Sequence, residues 1–404
     1  MAIDITQIFD WLTLLSFGLL FYTYVGYPGL LWLLSKLAGK PEQSSSAPPE
    51  WPAVSILISA YNEERAIRAR IENLLQLDYP KDRIEILVGA DGCTDGTAAI
   101  VASYPGIRLF DFAQRRGKAS VLNDLVAAAR NDIVVLTDAN TYFRRDAVRQ
   151  LVQALCRYPF GSVVVGRLEL RSSADKGNLD GAYWRYETWI KTLESRFGSL
   201  LGANGAIYAF RRDRYRRVPA EAIVDDFLIP MLMRRDCGDR SFFVPSARAW
   251  EESPEEVKHE FRRRVRIGAG DFQALKWTWS LLLPTYGMIA LIYFSHKVLR
   301  WLGPWFLLAG LIGTITLLDE PLFQFLFVGQ VIFYALAVAG TTLRPLPAIG
   351  GLAVAARYFV ILNAGLFLGL VRLSLGAARP TWATAPRKTL DMESRRLHAK
   401  VSAK

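Results

Sequence analysis

Three uncharged apolar runs, residues 11–34, 301–318 and 321–343, constrain this chain more than any other feature. At about 1.5 Å of rise per residue, each can cross the ~30 Å hydrocarbon core of a bilayer as a helix, the middle one only with help from its flanks. They account for a hydrophobic content of 51% and a mean hydropathy of +0.17, both high for a wholly soluble protein.

The first ten residues carry Asp4 and Asp10 but no Lys or Arg, and Lys36 and Lys40 follow the first run. A cleaved signal peptide has its positive charge at the other end, so residues 1–38 read as an uncleaved anchor with its N-terminus outside. The net charge of +11 is concentrated at Arg262, Arg263, Arg264 and Arg266 and in a basic tail over 377–404. Beside membrane segments such clusters reflect the positive-inside bias and attraction to anionic lipid headgroups. No zinc-finger, RRM or helix-turn-helix pattern is present, so membrane lipids rather than nucleic acid are the expected partners. Residues 353–375 contain Arg357, Asn363 and Arg372. A fourth span there would carry the basic tail across the membrane, so three spans and an interfacial segment are expected. Residues 281–301 mix aromatics and bases in the manner of an interfacial helix. Cys93, Cys156 and Cys237 are far apart with no CxxC pair, and His259, His296 and His398 read as surface or interfacial side chains.

Between a proline- and serine-rich linker over 39–52 and the second membrane region lies a different pattern. Strands are predicted over 54–59, 84–88, 133–136 and 163–165, and helices over 63–77, 97–103, 117–129 and 146–156. That alternation predicts an α/β domain over 53–275 with a mostly parallel sheet, followed by interfacial and transmembrane helices over 276–376.

Ligands of such sheets bind where the strands end. The run Ile133 to Leu136 ends on Thr137, Asp138, Ala139 and Asn140, where Asp138 and Asn140 offer hard oxygen ligands to Mg2+ or Mn2+ on a diphosphate, or simply form a turn. After the 84–88 strand, Asp91 and Asp95 stand in a glycine-rich turn, able to accept from a base N–H or ribose hydroxyl, or to serve as turn and helix cap. Arg115, Arg116, Gly117 and Lys118 begin a helix and could meet phosphate oxygens. Asp225 and Asp226 sit in an apolar frame, as a catalytic base would, or as first-turn acids of a helix. Arg263 and Arg266 share a helical face suited to a diphosphate, or to lipid headgroups.

In this order the pieces resemble the membrane-integrated family 2 glycosyltransferases, the group that includes hyaluronan, chitin-oligosaccharide, cellulose and poly-N-acetylglucosamine synthases. The resemblance runs from about Val54 to Arg387. It is carried by Ala60-Tyr61-Asn62-Glu63-Glu64, the Asp91 to Thr97 turn, Gly117-Lys118 with Leu122-Asn123, and Thr137-Asp138-Ala139-Asn140. Gly202-Ala203-Asn204-Gly205 with Arg211-Arg212, Asp225-Asp226, the arginine helix, and Trp382 with Arg387 complete it. It implies a GT-A type nucleotide-sugar domain in which Asp91 reads the base and Asp138 holds the metal. Ala60, Asn62, Glu63, Asp95, Lys118, Arg263 and Arg266 would line the donor site, and Gly202, Asn204 and Gly205 the acceptor side. Asp226 would be the general base of an inverting transfer, and Trp382 a lid.

Three departures from that group bear on the product. The metal motif is Asp138-x-Asn140 rather than DxD, the acidic motif is Asp225-Asp226 preceded by Val224 where polymerising relatives have Thr-Glu-Asp, and only Arg266 remains of the Gln-x-x-Arg-Trp helix motif. The expected activity is therefore transfer from a nucleotide sugar, a UDP-sugar by resemblance, to a lipid-linked or membrane-proximal acceptor at the cytoplasmic face of a bacterial inner membrane. A processive synthase that secretes its product and an inactive nucleotide-sugar-binding scaffold are the alternatives.

Overall fold

The structure is a computed structural model describing residues 5–37, 48, 50–158, 161–171, 179–252, 257–343, 346 and 349–381. Eight strands form one sheet: β1 (Val54–Ala60), β2 (Ile84–Asp91), β3 (Ile107–Phe112), β4 (Ile133–Asp138), β5 (Tyr142–Phe143), β6 (Ser162–Arg171), β7 (Tyr208–Arg211) and β8 (Arg240–Glu252). Their spatial order is β3-β2-β1-β4-β7-β6-β8-β5. One half is parallel, because β1 pairs in parallel with β2 and β4, and β2 with β3. In the other half β7 runs antiparallel to β4 and β6, β6 pairs in parallel with β8, and β5 closes the edge antiparallel to β8. The sheet is thus mixed, with helices on both faces. Val54, Ile56 and Ile58 point into one buried cluster and Leu57 into the other, so β1 is covered on both sides as its continuous apolar run requires.

Register sets the site. Ser59 pairs with Asp138 and Ala60 with Ala90, so Ala60, Asp91 and Asp138 reach the same C-terminal edge of the parallel half.

Among the described residues, three helices are long and apolar enough to cross a membrane: Gln7–Leu37, Pro321–Val338 and Ile349–Ser374. This set differs from the expectation in two places. The run over 301–318 is broken: Met288–Trp301 and Gly303–Thr316 meet at 57° and qualify only as a pair. Pro304 starts a new helix there, and 14 residues reach only about 21 Å, short of a bilayer core. Ile349–Ser374, expected at the interface, is one unbroken helix of 26 residues. Its Asn363 amide donates back to the Phe359 carbonyl at 2.9 Å, and Arg372 lies in its last turn. Small residues bring these helices together. A Cβ on Gly313 would fall 1.8 Å from Thr13 Oγ1, and one on Gly369 would fall 2.6 Å from the Ala269 amide nitrogen. The second contact joins a candidate span to Val257–Thr278, the helix that carries Arg263 and Arg266.

Candidate active site

Asp138 and Asp226, far apart along the chain, meet over Gly205. A Cβ on Gly205 would lie 3.2 Å from Asp138 Oδ2 and 3.2 Å from Asp226 Oδ2. Gly205 has φ +71°, a left-handed conformation that side chains resist, so only glycine both makes this turn and leaves room for two carboxylates. Gly202 has the same φ, and a Cβ there would lie 2.9 Å from Phe227 Cα. The loop is pinned by Ala203 N–H donating to the Asp226 carbonyl at 2.8 Å. Asn204 is committed to that loop: it donates to the Gly166 carbonyl at 3.0 Å and accepts from Ile207 N–H at 3.2 Å.

Lys118 Nζ donates to Asp138 Oδ1 at 2.7 Å and lies 3.2 Å from Asp225 Oδ2, an ion pair without hydrogen-bond alignment. Burial alone would lower the Lys118 pKa, but Asp138, Asp225 and Asp226 outweigh it and raise it, so the ammonium is held charged. Asp225 and Asp226 occupy the first turn of the helix Asp225–Cys237, where acids complement the dipole, and they also face the sheet edge. The first-turn reading therefore holds, and it leaves both acids at the sheet edge. Burial, then the charge of Asp225, pushes the Asp226 carboxyl up to about 6 against the pull of Lys118. Arg266 donates to the Ile223 carbonyl at 3.2 Å and lies within electrostatic reach of Asp226, Asp225 and Asp138. Arg263 is exposed one turn away.

The other predicted residues divide by what their side chains already do. Asp91 is only 3% exposed and accepts from Arg116 N–H at 2.7 Å and Gly117 N–H at 2.9 Å. Both its oxygens shape the turn that precedes Lys118. Asp95 accepts from Thr97 N–H at 3.0 Å and Glu64 N–H at 3.1 Å, which ties the turn before the short helix Thr97–Ala102 to the start of the neighbouring helix. Asn62, at φ 52°, accepts from Thr94 N–H at 2.9 Å, and Glu63 N–H donates to Thr97 Oγ1 at 2.9 Å. Ala60 ends β1 beneath them, and the Cys93 thiol approaches its carbonyl at 3.5 Å. Asn140 follows β4 in the turn. Trp382 lies outside the described residues. The segment before it does not: a Cβ on Gly117 would lie 3.7 Å from Thr381 Cγ2, so the chain arrives over the start of the Lys118 helix.

Sequence reasoning missed several participants. Arg70, fully buried, donates to Thr137 Oγ1 at 2.9 Å, and Thr137 donates to the Ala206 carbonyl at 2.7 Å, bracing Asp138 from below. The Arg115 guanidinium stacks 3.5 Å over the Tyr61 ring, closing one wall. His296 was expected near the surface but is 3% exposed and paired with Glu194, which also accepts from Tyr27 at 3.0 Å. An i,i+7 charge pattern on the helix Leu179–Arg196 was the available signal for that cluster.

Among the described residues no group of three or more His, Cys, Asp or Glu forms a metal cage. Asp138 remains, with one carboxylate. Mg2+ and similar ions are commonly held by one or two carboxylates plus substrate phosphates, so this donor set suits a metal that arrives with a diphosphate.

Comparison with known proteins agrees with this geometry. Residues 55–218 match the family described as Glycosyl transferase family 2. A "Probable glycosyltransferase YdaM" from Bacillus subtilis is 28% identical over 245 residues, which is 55% of this chain and 56% of that protein. The chain thus matches little more than half the length of that relative. A poly-beta-1,6-N-acetyl-D-glucosamine synthase from Staphylococcus epidermidis is 24% identical over 291 residues, 68% of each chain. Among solved structures, a mannosyltransferase from Pyrobaculum calidifontis in complex with GDP-Man and Mn2+ superposes with a TM-score of 0.67 at 21% identity. That superposition covers 90% of this chain and 99% of the other. The strand-edge aspartates, the mixed sheet and the matched region lead to one conclusion: residues 55–218 match a glycosyl transferase family 2 domain, on a GT-A-like fold joined to helices apolar enough to span a membrane.

Proposed function

We propose that the protein is an inverting glycosyltransferase that moves a sugar from a nucleotide diphosphate to the hydroxyl of a lipid-linked or membrane-proximal acceptor during polysaccharide or glycolipid assembly. The observation that carries this reading is the meeting of the Asp138 and Asp226 carboxylates over Gly205, with Lys118 beside them. In it, the donor diphosphate lies against Lys118 and Arg266, with Arg263 at the mouth. Asp91, Asn62, Glu63 and Asp95 act through the turns they hold. Asp226, with a pKa near 6, is largely ionised at neutral pH and takes the proton of the acceptor hydroxyl. That oxygen bonds to the anomeric carbon as the bond to the diphosphate breaks on the opposite face, which inverts the centre. Asp225 holds the Lys118 ammonium toward the leaving group. Asp138 would hold Mg2+ or Mn2+, with Asn140 as a second ligand, and the ion when bound neutralises diphosphate charge. Gly202 and Gly205 shape the acceptor side through backbone, and Asn204 fixes their loop. Trp382 follows a segment that runs over Gly117, consistent with a lid that excludes water.

The membrane helices and the bacterial relatives support residence in a bacterial inner membrane with this domain in the cytoplasm. The family resemblance favours a UDP-sugar donor, whereas the Pyrobaculum enzyme was solved with GDP-Man, so a donor panel is the first experiment. Full-length enzyme with radiolabelled UDP- and GDP-sugars is expected to give a single-addition product that Asp226→Asn abolishes. A ladder of lengthening products would favour processive synthesis, the reading to which the poly-N-acetylglucosamine synthase relatives point. Turnover of no donor would leave the scaffold reading.

A further inference from the structure

The carboxylate offered to a divalent ion is already engaged by a cation of the chain itself. Lys118 Nζ donates to Asp138 Oδ1 at 2.7 Å, and among the described residues it makes no other hydrogen bond. Asp138 has no second charged ligand beside it: residue 140, the next oxygen donor in the turn, is Asn. Asp225 Oδ2 stands 3.2 Å from the same Nζ, on a residue only 5% exposed, yet accepts no hydrogen bond. One ammonium therefore faces two carboxylates and serves one of them, which gives it a second seat within reach.

That pairing changes what the site accepts. A bare divalent ion reaching Asp138 must displace Lys118, and with the lysine side chain only 19% exposed the displaced charge stays beside the ion, poorly screened. More positive charge surrounds the same carboxylate: Arg70, fully buried, donates to Thr137 one residue before it, and Arg266 lies within electrostatic reach. A diphosphate removes the obstacle. Its oxygens offer Lys118 a charge-assisted partner in exchange for Asp138, Asp225 keeps the ammonium nearby, and the ion arrives with its charge already partly met. If the Lys118–Asp138 pair were only a brace for the turn after β4, removing the lysine would loosen Asp138 and weaken metal binding. If the lysine is a competitor, its removal must strengthen that binding.

We infer that Lys118 makes this site select a metal–diphosphate complex over the free divalent ion, holding Asp138 until phosphate oxygens draw it away. The inference rests on the proposed role of Asp138 toward Mg2+ or Mn2+ and goes beyond it by fixing an order: the ion enters with the nucleotide and not before it. Lys118 changes partners without making or breaking a covalent bond. One residue thus has opposite effects on two ligands, since it opposes the ion alone and favours the diphosphate.

The test counts free Mn2+ by electron paramagnetic resonance during titration of the full-length protein in detergent, alone and with UDP or GDP, against protein-free controls holding the same nucleotide. Wild type is expected to bind Mn2+ on the order of tenfold to a hundredfold more weakly alone than with the nucleotide it accepts, the effect of one charge-assisted contact. Lys118→Met should bind Mn2+ alone about tenfold or more tightly than wild type while losing affinity for the nucleotide, and Lys118→Arg should return to wild-type behaviour. Adding Asp138→Asn to Lys118→Met should abolish the gain, and a gain that survives it overturns the competition for Asp138. Equal or weaker binding of Mn2+ alone by a folded Lys118→Met protein overturns the inference and leaves the pair a structural brace. If that variant does not fold, Lys118→Gln takes its place, and the wild type remains decisive: binding Mn2+ as tightly alone as with nucleotide overturns the inference. Failure of Mn2+ to bind under every condition overturns it too, while sugar transfer measured without metal would leave the transferase reading intact. Absence of any sugar transfer sinks that reading, and the nucleotide-free comparison of wild type with Lys118→Met is then judged by itself.

Discussion

Replacing Asp226 with Asn should remove activity and raise stability together. In the folded protein the carboxyl titrates near 6 rather than 3.8, so folding binds its proton more tightly than the unfolded chain does. The stabilisation from that proton is complete below the unfolded value and is lost as pH rises toward the folded value. Above about pH 7 the ionised side chain opposes folding by ~3 kcal/mol, two pKa units at about 1.4 kcal/mol each. By the same linkage the cost at pH 5 is only about half as large. Asn carries no charge and escapes it. Asp226→Asn should therefore melt higher than wild type at pH 8, with a difference that roughly halves at pH 5, while turnover falls on the order of 10²- to 10⁴-fold for loss of a general base. Thermal unfolding in detergent at both pH values, beside radiolabelled sugar transfer, measures both effects. A variant that melts at or below wild type at pH 8, or that retains turnover, would refute the argument. The first result would mean that the buried carboxylate is already compensated, and the second that another group takes the proton.

Three further outcomes follow from the same geometry. Wild-type kcat/KM should rise with pH through a limb near 6 that Asp226→Asn eliminates, read from initial rates between pH 5 and 8. Gly205→Ala should cost about 1–2 kcal/mol for its left-handed backbone, and by separating Asp138 from Asp226 it should lower kcat about tenfold to a hundredfold, measured by chemical denaturation and steady-state rates. Asp95→Ala should lose two hydrogen bonds that hold the turn before the helix Thr97–Ala102, about 1 kcal/mol, yet leave donor affinity unchanged, whereas Lys118→Met should weaken donor binding about tenfold or more, both by calorimetric titration.

Legibility in the sequence followed the range of the interactions. The parallel half of the sheet was readable because β1, β2 and β4 are apolar runs that end abruptly on chemistry-bearing residues, a pattern local to each strand. The antiparallel half was not. β7 is four residues long and β8 carries charges along one face, so neither has a run that periodicity detects, and their pairing is set by contacts across the sheet. The same division sorts the site. Asp138, Asp225, Asp226, Lys118 and Arg266 were identifiable as types in suggestive settings, and the structure brings them together. Asp91 and Asp95 were equally suggestive and left open as turn formers; Asp95 binds the Thr97 amide two residues on, a local pattern, whereas Asp91 binds the Arg116 and Gly117 amides across the sheet edge, which no spacing reveals.

The membrane segments show the limit from the other side. Arg357, Asn363 and Arg372 made residues 353–375 either a costly span or an interfacial helix, and charge bookkeeping chose the interface because a fourth span would carry the basic tail across the membrane; the cost argument treats each side chain as meeting the bilayer alone. In the folded chain Asn363 bonds within its own helix, Gly365 and Gly369 lie against the arginine helix, and Arg264 donates to Tyr358 at 2.8 Å. A polar face packed on protein is not a polar face in lipid. This helix, which carries two arginines and an asparagine, packs on the arginine helix and is positioned to transmit movement of the membrane bundle to Arg266 through the 365–369 contact. Gly369→Leu should break that contact, since a Cβ already falls 2.6 Å from the Ala269 nitrogen, and should lower donor affinity with Asp226 and Lys118 untouched. Unchanged nucleotide-sugar binding in a folded Gly369→Leu protein would mean that Arg266 is held by the catalytic domain alone.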